Sequence, residues 1–253
     1  MRLDRFLFEK RFFSSRNKAA EAICRGEIFV NGKLQDKPSA EVNDEASISV
    51  VTKNATYVSL GGYKLERALT RFKPTIKDGV FIDVGASTGG FTDCLLQNGA
   101  KKVYCVDVGE NLLSPDLVND SRIVVMDRTN ARYLSESDFQ KKADGIVVDC
   151  SFISLEYILP PLVKLISEKG FILALIKPQF ETAGKVKMKN GILKDEKARK
   201  KIVEDIYCFI KELGLFFVDI CLASNDEKKN KEYIAYISKS GESKSLNDIL
   251  SKV

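Results

Sequence analysis

The chain has 253 residues, 44% hydrophobic and 30% charged, with a formal net charge of +5. That length allows one or two domains, and the composition is too apolar for a disordered chain. With no histidine present, Ser-His-Asp and Cys-His relays, His-ligated zinc and imidazole acid–base chemistry are all excluded, so any proton transfer falls to Lys, Tyr, Asp, Glu or Cys.

The six cysteines, Cys24, Cys94, Cys105, Cys150, Cys208 and Cys221, contain no Cys-x-x-Cys pair. Most of them read as small core residues in a reducing compartment, and no metal site is expected. The longest uninterrupted apolar run, Phe171 to Ile176, is far short of the roughly 20 residues that span a bilayer. The N-terminus lacks a signal-peptide core, so the expectation is a cytoplasmic protein that does not enter membranes.

Charge is concentrated at the start: residues 1–40 hold nine basic against five acidic side chains. A basic module on a near-neutral body suggests that the module handles a polyanion. Here Ser14-Ser15-Arg16 opens a predicted helix with Ala19, Ala20 and Ile23 on one face, closed by Gly26. Ile28 to Val30 reads as a strand entering an Asn31-Gly32 turn, and the alternation from Ala46 to Val50 as another. The positions Leu3-Asp4, Ser15-Arg16, Ala20, Gly26 and Val30-Asn31-Gly32 resemble the S-four type of RNA-binding module over about fifty residues. The resemblance implies docking on structured RNA through phosphates and shape. Its candidates are Arg2, Arg5, Arg16, Lys18, Arg25 and Lys33. Residues 1–50 are taken as this module, 51–60 as a linker and 61–253 as the body.

Along the body, apolar runs alternate with helical segments: Val80 to Val84, Val103 to Asp107, Ile123 to Met126, Gly145 to Asp149, Phe171 to Ile176, Leu215 to Ile220 and Tyr233 to Ile237. Continuous apolar strands suit a parallel sheet covered on both faces. The last two are joined by a loop alone, which predicts an antiparallel pair at one edge. The fold class is therefore α/β: a seven-stranded, Rossmann-like, doubly wound sheet with a reversed final strand, preceded by a small α+β module.

Such sheets bind ligands at the carboxyl ends of their strands. The first strand runs into Asp83-Val84-Gly85-Ala86-Ser87-Thr88-Gly89-Gly90-Phe91, where small residues let the backbone approach a ligand and a helix N-terminus offers free N–H groups. Asp107, at the end of the second strand, is placed to accept from ribose hydroxyls. Up to this point a nicotinamide and an adenosyl cofactor fit equally. Ser87 stands where a dinucleotide fingerprint wants glycine, and no lysine follows to make a P-loop. The turn is similar to the first motif of S-adenosylmethionine-dependent methyltransferases.

Four polar residues then fall near that edge. Lys64 lies on the shoulder of an apolar helical face, Asp149 and Lys177 end the fourth and fifth strands, and Glu232 precedes the last. Singly each reads as a solvated cap. Together they suit activation of a ribose hydroxyl, for which a lysine is the natural base once histidine is absent. Lys64 as a neighbouring cation would favour a neutral Lys177, whereas Asp149 would favour the ammonium and is read as orienting it.

Gly62-Tyr63-Lys64-Leu65, Asp83 to Thr92, Asp127-Arg128-Thr129-Asn130, Asp149 to Ser154, Lys177-Pro178-Gln179-Phe180 and Asn230-Lys231-Glu232-Tyr233 resemble the FtsJ-like ribose 2′-O-methyltransferases. With the N-terminal module, the chain resembles the TlyA family, some of whose members carry a haemolysin label. The resemblance implies Lys177 as general base with Lys64, Asp149 and Glu232 in support. It implies contacts to S-adenosylmethionine from Asp83, Gly85, Ala86, Ser87, Thr88, Gly89, Gly90, Phe91, Asp107, Val108, Asp127 and Arg128. The implied substrate is a cytidine ribose in ribosomal RNA, in the large subunit first, with the small subunit as a further target. The chain departs from the family at Ala55-Thr56-Tyr57, at Leu60 and at Glu110-Asn111-Leu112-Leu113, the last in one wall of the expected pocket.

Lys185, Lys187 and Lys189 alternate in a loop, so in an extended chain all three face one way and are expected to grip RNA phosphates. The rival readings are an RNA- or ribosome-binding protein without catalysis and a pore-former, the latter opposed by the lack of any segment apolar enough for a bilayer.

Overall fold

The computed structural model describes residues 1–24, 26–43, 45–50, 56–182, 188, 191–224 and 229–253. Arg25, Lys185, Lys187 and Lys189 of the RNA-binding expectation, and Ala55 of the linker, lie outside the described residues. The chain divides into two compact units, Met1–Leu60 and Gly61–Val253.

In the first unit, α1 (Leu3–Glu9) and α2 (Arg16–Cys24) pack through Leu3, Phe6, Leu7, Ala19, Ala22 and Ile23. Ala22 takes the inward place expected of Ala20, which is only half-buried. Strands β1 (Ile28–Val30), β2 (Lys33–Gln35) and β3 (Ile48–Val50) form an antiparallel sheet in the order β2-β1-β3. Asn31 and Gly32 join β1 to β2 with φ of 51° and 75°, the doubly left-handed turn that Asn-Gly favours because its twist matches the strands.

Buried Asp4 organises the basic side chains of this unit. It accepts from Arg2 Nη2 at 3.0 Å and from Arg16 Nε at 2.9 Å. Arg5 is paired with Glu9 at 2.6 Å. Lys18 and Lys33 are exposed. Arg16 therefore does not simply project from its helix. It spans the two helices through Asp4 and still leaves half its surface to solvent.

The second unit begins on α3 (Leu60–Phe72), whose buried residues Leu65, Ala68 and Leu69 follow the expected apolar face. The sheet strands are β4 (Val80–Val84), β5 (Lys102–Val106), β6 (Ile123–Met126), β7 (Ala143–Val148), β8 (Ile166–Ile176), β9 (Phe216–Leu222) and β10 (Tyr233–Ser238). They lie in the order β6-β5-β4-β7-β8-β10-β9. Strands β4 to β8 pair in parallel, and β10 runs antiparallel to both β8 and β9. The reversed last strand is thus present, but it inserts between β8 and β9 and leaves β9 at the edge. β8 also starts earlier than expected, directly after α6 (Leu155–Leu165).

Helices cover both faces because the strands are apolar on both. Val80, Ile82 and Val84 of β4 share one core with Ile158, Leu159 and Leu162 of α6 and Ile202, Val203 and Ile206 of α8 (Glu196–Glu212). Phe81 points the other way, toward Phe171 at 6.1 Å between ring centroids. Side-chain caps start the helices where the sequence places them: Ser154 accepts from Glu156 N at 3.1 Å and Asp195 from Ala198 N at 3.1 Å. Among the described residues no helix is long and apolar enough to cross a membrane.

Candidate active site

The strand order reverses between β5-β4 and β7-β8, and a crevice opens there at the carboxyl ends of the strands. The backbones meet closely at this switch point. Asp149 N donates to Val84 O at 2.9 Å. A Cβ on Gly85, whose φ is +81°, would lie 2.8 Å from the Asp149 carbonyl oxygen. Only glycine supplies both the left-handed conformation and the missing atom. Ser87, two residues on, also has a positive φ of 48°, and α4 (Gly90–Gln97) starts just beyond the turn.

Asp107 holds the turn to the next loop. Its Oδ2 accepts from Ser87 N and its Oδ1 from Gly109 N, both at 2.8 Å. Asp127 ties the same loop from the other side by accepting from Asn111 N at 2.9 Å. These loops bound a cavity of about 460 Å³ lined by Val84, Gly85, Ser87, Asp107, Val108 and Leu112 on one side. Thr129, Asn130, Ala131 and the segment Asp149–Ile153 line the other.

The cofactor candidates therefore separate into two sets. Gly85, Ser87, Asp107 and Val108 line the cavity. Ala86, Gly89, Gly90 and Phe91 are buried, and Thr88 is half-buried. Asp83 is buried under the turn, where its Oδ2 accepts from Thr92 Oγ1 at 2.7 Å. Its Oδ1 has no partner among the described residues, and burial pushes the carboxyl up to about 7. Asp83 is thus held under the turn by Thr92 and is not among the residues that line the cavity. Arg128 faces solvent and pairs with Glu110 at 3.6 Å, so it is not a wall residue either. Leu112, within the segment that departs from the family pattern, supplies the wall instead.

The four polar candidates form two ion pairs. Lys177, 7% exposed at the end of β8, lies 2.5 Å from Asp149 Oδ1 and donates to Ser151 Oγ at 2.8 Å. Lys64 Nζ of α3 lies 2.8 Å from Glu232 Oε2, and Gln179 Nε2 donates to Glu232 Oε1 at 2.9 Å. The antiparallel insertion of β10 brings the second pair to the same edge: Tyr233, which follows Glu232, is in register with Ile176, which precedes Lys177. Each lysine has its own carboxylate.

Ser151 and Gln179 are contacts that sequence reasoning missed. Their signal was their position two residues past Asp149 and Lys177, in the segments that follow strand ends. Glu181 of the short helix α7 (Pro178–Glu181) braces the two loops by accepting from Leu155 N at 3.2 Å. Cys150 lines the cavity too, but burial pushes its thiol up to about 12, so it is no nucleophile. Phe152 is 88% exposed at the cavity mouth, with a φ of 63° and its ring 4.7 Å from that of Phe180. A bulky side chain held in the left-handed region marks a site where the surroundings impose the conformation.

Comparison with known proteins decides the family. Residues 57–239 match the FtsJ-like methyltransferase family and residues 1–48 the S4 domain. The 16S/23S rRNA (cytidine-2'-O)-methyltransferase TlyA of Mycobacterium tuberculosis is 38% identical over 87% of this chain and 82% of its own length. The chain belongs to the TlyA family. Another member, the 23S rRNA (cytidine-2'-O)-methyltransferase TlyA of Campylobacter jejuni, is 34% identical over 93% of this chain and 98% of its own. A solved structure labelled a hemolysin, from Streptococcus thermophilus, superposes with a TM-score of 0.78 at 35% identity. It covers 100% of this chain and 94% of its own. Membership in this family makes the second unit an S-adenosylmethionine-dependent methyltransferase fold.

Proposed function

We propose that the chain transfers a methyl group from S-adenosylmethionine to the ribose 2′-hydroxyl of a cytidine in ribosomal RNA, with large-subunit RNA as the first target. The observation that carries this reading is the Lys177–Asp149–Ser151 cluster beside the cavity at the switch point, in a chain whose relatives are named for that reaction.

The cavity fits the cofactor: its volume of about 460 Å³ falls within the range of small-ligand sites. Gly85 and Ser87 leave the backbone bare for close approach. Asp107, although it already accepts two N–H groups, has lone pairs left for ribose hydroxyls. Val108, Leu112 and Ile153 offer apolar walls to a purine. Bound there, S-adenosylmethionine supplies an electrophilic methyl carbon.

Lys177 acts as the base. Its amine would take the proton of the 2′-hydroxyl, and S-adenosylmethionine held by the Gly85–Ser87 turn and Asp107 would supply the methyl group that the oxygen accepts. Asp149 and Ser151 hold the lysine nitrogen in line. Glu232, fixed by Lys64 and Gln179, orients the ribose. Phe152 and Phe180 give the target base an aromatic surface to pack on. The RNA-binding module, residues 1–50 within the first unit, docks on structured RNA through Arg2, Arg5, Arg16, Lys18, Arg25 and Lys33. Lys185, Lys187 and Lys189 add phosphate contacts.

Tritiated-methyl transfer to isolated ribosomal subunits tests the reading. The label is expected on a ribose of large-subunit RNA, as an alkali-resistant dinucleotide, and lost with Lys177→Ala. Equal incorporation by both proteins removes Lys177 as the base, and no label on either subunit overturns the substrate.

A further inference from the structure

Three side chains at one rim of the cavity have no part in the proposed chemistry. Tyr133 ends a short 3-10 turn, Ala131–Tyr133, and Tyr157 lies in the first turn of α6. Their rings are 76% and 58% exposed. The Arg132 guanidinium carbon lies 5.8 Å from the centre of the Tyr133 ring and 5.4 Å from that of Tyr157, within cation–π reach of both. The chain neighbours Asn130, Ala131 and Ile158 line the cavity, so the cluster borders the site.

Among the described residues neither tyrosine hydroxyl has a protein partner and no carboxylate pairs with Arg132. Two exposed aromatic rings with an unneutralised cation over both offer a π-face and a positive charge together. A flat apolar protein partner has no use for the charge. A nucleotide matches both, because every base has a face that stacks on a ring and every phosphate seeks a guanidinium.

We infer that Arg132, Tyr133 and Tyr157 form a stacking platform for one unpaired nucleobase of the strand flanking the methylated nucleotide, with Arg132 on its phosphate. The inference rests on RNA being the substrate. It names a second point of hold on that strand, separate from Phe152 and Phe180, and stacking makes it tolerant of base identity.

The test uses the full chain in two arms. The protein has no tryptophan, so Tyr157→Trp installs a lone indole at the platform, and a single-stranded oligocytidylate probe is expected to quench its emission as it binds. Binding of the probe, measured by its anisotropy, without quenching overturns the platform. In the second arm the Tyr133→Leu, Tyr157→Leu double variant is expected to raise KM for ribosomal RNA roughly tenfold or more, the loss of about one base–ring stack. Its kcat should move much less, and the corresponding phenylalanine pair should recover the lost affinity. Arg132→Gln is expected to lower the salt slope of RNA binding by about one. An unchanged KM in the leucine pair, or phenylalanines as impaired as leucines, overturns the inference while an active wild type leaves the methyltransferase reading standing. A wild type inactive on all ribosomal RNA sinks that reading, and the quenching arm then decides the platform alone.

Discussion

Lys177 Nζ lies 2.5 Å from Asp149 Oδ1, joining the ends of two adjacent parallel strands, and the same nitrogen donates to Ser151 at 2.8 Å. A lysine so placed is nearly buried, and its direction is set by two partners from one loop. Replacing it with alanine is expected to lower kcat roughly 10²- to 10⁴-fold, the usual contribution of a general base. The affinity for S-adenosylmethionine, read by calorimetry, should hardly change. Lys177→Arg is expected to be as inactive as the alanine variant, since a guanidinium stays protonated and cannot accept the hydroxyl proton. Activity in the arginine variant would show that charge alone suffices.

The Lys64–Glu232 pair is reached by Gln179 on its carboxylate side. If the pair acts as a unit, Lys64→Met and Glu232→Gln each lower kcat/KM about tenfold or more, and the double variant loses little beyond the worse single one. Additive losses in single-turnover assays would mean that the two side chains work independently.

Gly85 tolerates no side chain, by conformation and by space: its φ is +81° and a Cβ would crowd the Asp149 carbonyl at 2.8 Å. The neighbouring atom is backbone and cannot swing away. Gly85→Ala is therefore expected to push β4 and β7 apart at the crevice and weaken S-adenosylmethionine binding at least about tenfold, with a lower Tm. The left-handed conformation alone costs a non-glycine residue about 1–2 kcal/mol. Wild-type cofactor affinity in this variant would place the ligand elsewhere.

Asp83 carries a pH dependence of stability. An unfolded aspartate ionises near ~4, whereas burial raises the folded carboxyl to about 7. The native state therefore keeps a proton that the unfolded chain releases. Its stabilising effect is complete below pH ~4, declines as pH rises toward about 7 and is lost above it. Asp83→Asn, which keeps an acceptor for Thr92, should remove that decline. Urea unfolding between pH 5 and 8 should show the variant gaining on the wild type by a few kcal/mol, on the order expected for a shift of this size. Parallel profiles would mean that the buried acid is already ionised at pH 5.

Much of this was legible in the residues themselves. Apolar runs of strand length, separated by helical periodicity and punctuated by glycine, imply a doubly wound sheet, because only a sheet covered on both faces can bury them. A ligand turn at Gly85 follows from small residues directly after a strand. The absence of histidine restricts the base to a few types before any coordinate is known. Periodicity and composition act over short stretches of chain, which is why they are readable there.

Other features depend on which strand lies beside which. The insertion of β10 between β8 and β9 sets Glu232 beside the start of α7 and gives it to Lys64 and Gln179, residues 168 and 53 positions away. Burial beneath the turn gives Asp83 a contact to Thr92 instead of a place in the cavity wall, and the packing of two loops makes Leu112 a cavity wall and leaves Arg128 in solvent. Such pairings arise from contacts between distant segments, whose register is set by side chains packing across the whole sheet.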